Sequence, residues 1–168
     1  MLPIFEISIA EMVLSKTVVG GAGGNWRTIN EILAPSVVRQ SGPMNCGAAC
    51  GEMLLRTRGV FVTQDVIADI TGAPSSASSL AQALNELDSG GAWFGSGVTE
   101  ESFFALNQTG SWAAMLFETG KRFGHWVNVN GVNHAGRVII HDPTDGTQYL
   151  MELEEFMSHW TLFSVFRR

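Results

Sequence analysis

The hydrophobic pattern of this 168-residue chain changes period near Gly110, and that change restricts the fold more than any other feature. Before it, the chain carries helix punctuation. A helical run from Cys46 stops at Gly59, with Arg56 and Arg58 in its last turn. A second helix is expected over about Gln64–Ile70, with Thr63 as its N-cap and Gly72 beyond its end. Ser79-Leu80-Ala81-Gln82 has the form of a capping box and opens a third, to about Leu87. Thr99, followed by Glu100 and Glu101, opens a fourth that Gly110 closes. Beyond Gly110 the residues alternate as strands: Trp112–Phe117, His125–Asn130, Arg137–Asp142, Thr147–Met151 and Leu162–Phe166. A short helix, Glu154–Trp160, stands between the last two. Helices followed by strands predict an α+β fold. Trp26–Leu33 reads as a short helix, and Asp88–Gly97 as a glycine-rich loop that tucks Trp93 and Phe94 onto the surface.

The glycine run Gly20–Gly24 divides the chain into an arm with its linker, residues 1–35, and one domain, residues 36–168. The arm is apolar but contains Glu6, Glu11 and Lys16 and has no basic start, so it reads poorly as a secretion signal. No apolar window is long enough for a membrane span. Sixteen acidic against ten basic residues give a net charge of −6. That balance argues against nucleic acid as a partner, because neutralising phosphates requires Lys and Arg. Two cysteines cannot build a disulfide framework, and no zinc-ligand spacing or phosphate-binding loop is present, so no cofactor or metal is expected.

The chemistry concentrates around Gln40-Ser41-Gly42-Pro43-Met44-Asn45-Cys46. A cysteine at a helix start meets the positive end of the helix dipole, which favours thiolate. A glutamine six residues earlier can donate to an oxyanion formed beside that sulfur. Such a nucleophile needs a base and the base an orienter. Four histidines are available: His125, His134, His141 and His159. A hairpin centred on Asn133-His134 would pair Val129 with Val138, Val127 with Ile140 and His125 with Asp142. One face would then carry His125, three valines, Ile140 and Asp142. The opposite face, with Asn128, Asn130, Arg137 and His141, would be solvated. His141 thereby becomes the weaker base, His134 a turn residue, and His159 a helix-end residue. Cys50, one turn after Cys46, is expected in the core.

The spacing from Gln40 to Cys46 resembles the papain-like cysteine peptidases. The run Asn45–Cys50, with Gly124-His125 and Asp142-Pro143, is most similar to the double-glycine peptidases that process bacteriocin leaders. Asn45 stands where exporter-linked members carry aspartate. The resemblance covers residues 36–166. It implies a papain-like fold: a helical half bearing Cys46 at a helix start, packed on an antiparallel sheet bearing His125 and Asp142. It also implies roles: Cys46 as nucleophile, His125 as base, Asp142 as orienter and Gln40 in the oxyanion hole. The expected substrate is a protein or peptide cut after Gly-Gly, and Gly20-Gly21 or Gly23-Gly24 could be a site of self-processing. The layout suggests an effector toxin acting in the cytoplasm of a target bacterium, paired with a cognate immunity protein. A dedicated leader peptidase, otherwise cytoplasmic, and a papain-fold deamidase or acyltransferase are the alternatives.

Overall fold

The computed structural model describes Ile4 and residues 25–168. The arm's glycine run, Gly20–Gly24, lies outside the described residues. Among the described residues, seven strands form one antiparallel sheet: β1 (Ile29–Leu33), β2 (Trp93–Gly97), β3 (Trp112–Leu116), β4 (His125–Val132), β5 (Val138–Asp142), β6 (Thr147–Met151) and β7 (Trp160–Arg167). Their spatial order is β1-β6-β5-β4-β3-β7-β2. The four strands β3 to β6 follow one another as a meander, the short-range pairing that tight turns permit. The α-helices among the described residues are α1 (Cys46–Arg56), α2 (Gln64–Thr71), α3 (Ala77–Leu87), α4 (Phe103–Asn107) and α5 (Leu153–His159).

The sheet is covered on both faces. On one, α1 to α3 bury Leu54, Leu55, Ile67, Leu80 and Leu84 against Ala113, Met115, Trp126 and Val165 of the sheet. On the other, Phe103, Leu106 and Phe156 pack with Trp112, Val127, Val129 and Ile140. Each fully buried large aliphatic or aromatic side chain contributes about 1.5–3 kcal/mol relative to exposure. Every residue of β3 is buried, as a strand covered on both sides requires. Gly47 lets α1 lie close to the sheet. A Cβ there would meet the Trp126 ring at 3.0 Å and the Ser75 hydroxyl still closer.

Several local expectations change. Residues 29–33 form an edge strand paired with β6, not a helix. Ile32 and Leu33 stay exposed on that edge, so the segment lacks the alternation that marks a strand. Trp93–Gly97 is likewise a strand, paired along its length with β7. The third helix begins earlier: Ser76 is the N-cap, and Ser79 at its third position completes the capping box. Thr63 precedes α2 but makes no side-chain cap. Glu52 of α1 accepts the Gln64 N–H instead, at 2.6 Å. A carboxylate from a neighbouring helix thus does the work expected of a hydroxyl. Among the described residues no helix is long and apolar enough to cross a membrane.

Candidate active site

Cys46 is the first residue of α1. Asn45, the N-cap, spends its side chain on the Ser41 hydroxyl at 2.7 Å and makes no cap bond. The first-turn N–H groups therefore carry no side-chain cap and keep their positive field on the thiol. The Trp126 N–H donates to Cys46 Sγ at 3.4 Å, joining the start of α1 to the start of β4. His125, the preceding residue, is 1% exposed and also hydrogen-bonds Cys46. Its Nε2 lies 2.7 Å from Asp142 Oδ1 and 2.9 Å from Thr144 Oγ1. That leaves Nδ1 as the ring nitrogen for the thiol.

The register that brings His125 to Asp142 differs from the one expected. Val129 pairs with Ile140 and Asn128 with His141, a displacement of two residues. The turn is also longer. Asn133 N–H donates to Arg137 O at 2.9 Å, and the Asn133 side chain accepts from the Ala135 and Arg137 N–H groups. Continued regularly from Val132 paired with Val138, the ladder would put His125 on the opposite face from Asp142. A bulge between Val129 and Val132 absorbs one residue and restores the shared face. Gly131, at φ 84°, makes it possible. Asp142 therefore reaches His125 diagonally, while Thr144 stands at the imidazole.

Charge follows from these contacts. Burial acts to lower the His125 pKa, but the charge and hydrogen bond of Asp142, helped by Cys46, hold it well above the ordinary imidazole value. Burial acts to raise Asp142. His125 outweighs it, with the Thr144 N–H and the Tyr149 hydroxyl, and the carboxyl is held down to about 2. Burial pushes the Cys50 thiol well above its usual value, so Cys50 stays protonated in the core.

Gln40 sits at the same end of the sheet, its N–H donating to Pro143 O at 2.7 Å beside Asp142. Its Nε2 donates to Gly42 O at 2.8 Å, which leaves a second N–H, and its buried Oε1 has no hydrogen-bond partner among the described residues. Gln64 braces this loop from both sides. Its Oε1 accepts the Ser41 N–H at 2.9 Å, and its Nε2 donates to Arg39 O at 2.8 Å.

The face expected to be solvated is covered by α1. Asn128 is buried there and donates to Cys50 O at 3.2 Å. His141 meets Gln148 and Asn130, and burial lowers its pKa. His134 is exposed in the turn. His159 does more than end a helix: its Nδ1 lies 2.9 Å from Phe117 O, and Nε2 3.4 Å from Glu155 Oε2. Three contributors escaped the sequence reading. Thr144 and Tyr149 were within reach of it, because the Pro143–Gly146 turn sets the register of β5 on β6, with Ile140 facing Tyr149. Trp26, nearly a hundred residues from His125, gave no local signal.

A cysteine at a helix start, facing a histidine and a carboxylate from an antiparallel sheet, defines a papain-like cysteine peptidase. The peptidase C39 family model matches residues 35–167, and the chain belongs to that family. Over 165 residues it is 48% identical to cysteine protease effector 1 of Escherichia coli O1:K1:H7, covering 96% of this chain and 33% of that protein. The chain thus spans about a third of its curated relative. Among solved structures, the peptidase domain of the Streptococcus transporter ComA matches with a TM-score of 0.65 at 21% identity. That match covers 77% of this chain and 94% of the other. A double-glycine motif protease from an AMS/PCAT transporter, in complex with a leader peptide, matches at 0.60 and 20% identity, covering 88% and 92%. The chain is a cysteine peptidase.

Proposed function

We propose that Cys46, His125 and Asp142 form the catalytic triad and that Gln40 donates to the oxyanion. The observation that carries this reading is the 2.7 Å contact of His125 Nε2 with Asp142 Oδ1, in an imidazole that also bonds Cys46. His125 Nδ1 takes the Cys46 proton, and the thiolate attacks the scissile carbonyl carbon. The Cys46 N–H and the second Gln40 N–H stabilise the tetrahedral oxyanion. His125 passes its proton to the leaving nitrogen, the C–N bond breaks, and a thioester remains. Water, deprotonated by His125, attacks that thioester; the C–S bond breaks and the acid product leaves. Asp142 stays ionised and orients the ring.

The substrate is a protein segment cut after Gly-Gly. The nucleophile and its base are almost wholly buried, so a backbone that reaches them passes through a narrow approach. Glycine has no Cβ to obstruct that passage. The double-glycine protease with its leader peptide supports the same preference. The name of the 48%-identical relative supports an effector role: a peptidase domain, residues 36–168 behind the arm 1–35, that acts in a target bacterium's cytoplasm and is held by an immunity protein in the producer. Leader-peptide processing is the second reading, favoured by the same complex. Expression of wild type and Cys46→Ala in a bacterial cytoplasm, with protein termini mapped by mass spectrometry, tests these points. New termini after Gly-Gly in wild type alone are expected. Equal termini in both overturn proteolysis, and wild-type-only cuts elsewhere overturn the preference. A mass gain of about one dalton or a cross-link, from a thioester that takes other acceptors, would point to deamidation or acyl transfer.

A further inference from the structure

Trp26 lies upstream of the segment that the family model matches, yet it is packed against the centre of the site. Its indole stacks on the His125 ring, with centroids 5.9 Å apart and planes 27° apart. Its Nε1–H donates to the Tyr149 hydroxyl at 2.7 Å, and that hydroxyl donates to Asp142 Oδ2 at 2.7 Å. Asp142 in turn holds His125 through its other oxygen. The indole thus touches the imidazole with its face and the carboxylate through one intermediate. It is 8% exposed, and Tyr149 2%. The segment is anchored on both sides of the tryptophan. The Asn25 N–H donates to Glu118 at 3.0 Å and the Arg27 N–H to Glu155 at 2.8 Å. Beside Trp26 and Asp142 opens a polar cavity of about 460 Å³ that also touches Glu31, Asp145 and Tyr149. His159 of α5 lies on the indole as well, at 5.6 Å. The indole and the Asp142 carboxylate thus both border this cavity, and the face of the indole lies on the His125 ring.

We propose that Trp26 and Tyr149 are positioning residues of the peptidase: Tyr149 locks the Asp142 carboxylate, and Trp26 locks Tyr149 while its ring shields the imidazole from water. The proposal rests on the triad reading and adds to it a part that the peptidase core from residue 35 onward does not contain. Hydrogen bonds strengthen in a site that excludes water, and a hydroxyl already accepting a bond donates more strongly. The chain is ordered, so its two links are not independent. The indole N–H acts only through the tyrosine hydroxyl, whereas the ring face acts directly on His125.

Phenylalanine at each position separates these parts, since Trp26→Phe keeps an aromatic face and Tyr149→Phe keeps its ring. In the full chain, with a Gly-Gly peptide as substrate, each variant is expected to lower kcat about tenfold with KM nearly unchanged. The double variant should fall no further than Tyr149→Phe alone, because the first link has lost its acceptor. Loss of a donor to Asp142 also moves the acid limb of the kcat profile to higher pH. Thermal unfolding confirms that the variants fold. A second readout is independent of turnover: the His125 Nε2–H resonance should exchange faster with water in Trp26→Ala than in wild type. Wild-type kcat and pH profile in both variants, additive losses in the double variant, or unchanged exchange in Trp26→Ala overturns the relay. A wild-type chain that cuts no Gly-Gly peptide overturns the substrate reading instead, and the exchange measurement still decides the relay.

Discussion

The two strands of the β4–β5 hairpin each carry one histidine, in opposite environments. His125 opens β4 on one face, buried against Asp142, Thr144 and Cys46. His141 lies on β5 on the other face, half-buried between the side-chain amides of Asn130 and Gln148. Burial works against the imidazolium in both. It prevails at His141, where only neutral amides answer it, and it loses at His125, where a carboxylate sits 2.7 Å away. The lesson is that burial alone does not set a histidine's charge. A partner's formal charge decides between an imidazole ready to form an ion pair and one that stays neutral.

The strongest way to break the contrast is to make the two environments alike. Asp142→Asn leaves His125 with an amide partner, as His141 has. Cleavage of a Gly-Gly peptide should fall by a factor on the order of 10³–10⁴ in kcat, with the fold retained. Stability responds with a defined sign. Asp142 ionises at about 2 in the folded chain and near 3.9 unfolded, so its contribution is complete above about pH 4 and is lost as pH falls towards 2. The raised His125 value acts from the other side: its contribution is present below about pH 6.5 and fades as pH rises through the folded value. Urea unfolding of wild type and Asp142→Asn should therefore differ most between these limits and converge as pH falls towards 2.

A smaller effect tests what places the two histidines on opposite faces. Gly131→Val keeps open space around the new side chain but forces a left-handed backbone. It should cost about 1–2 kcal/mol in denaturant unfolding. Activity of the folded fraction should be unchanged, because Gly131 touches none of the reacting groups. A much larger loss of activity would report a slipped register that turns His125 away from Asp142. The smallest effect is expected at the other face. His141→Gln replaces a neutral ring by a neutral amide, and kcat should stay within about twofold of wild type. A large loss there would make His141 part of the chemistry and erase the distinction.

Much of this arrangement was legible from local pattern. The α+β class, the helix that begins at Cys46, the strand that His125 opens and the strand that Asp142 closes all follow from period, caps and turns. Edge strands were not. Leu33 and Phe94 lie on β1 and β2, whose pairing depends on partners more than fifty residues away. The hairpin shows the same division within one element. Parity put His125 and Asp142 on a common face, while the actual pairing differs by two residues because a longer turn and the Gly131 bulge offset each other.

By itself, the order of residues determined which side chains are chemically able to act and which elements carry them, because helix caps, strand alternation and turn residues are satisfied within a few positions. Tertiary structure alone decided what surrounds those side chains. The indole of Trp26 over His125, the Tyr149 hydroxyl on Asp142 and the Gln64 amide around Gln40 join segments that have no local reason to meet. They meet because both faces of one sheet must be covered. The resulting exclusion of water gives a carboxylate 2.7 Å from an imidazole far more influence than it has in solvent.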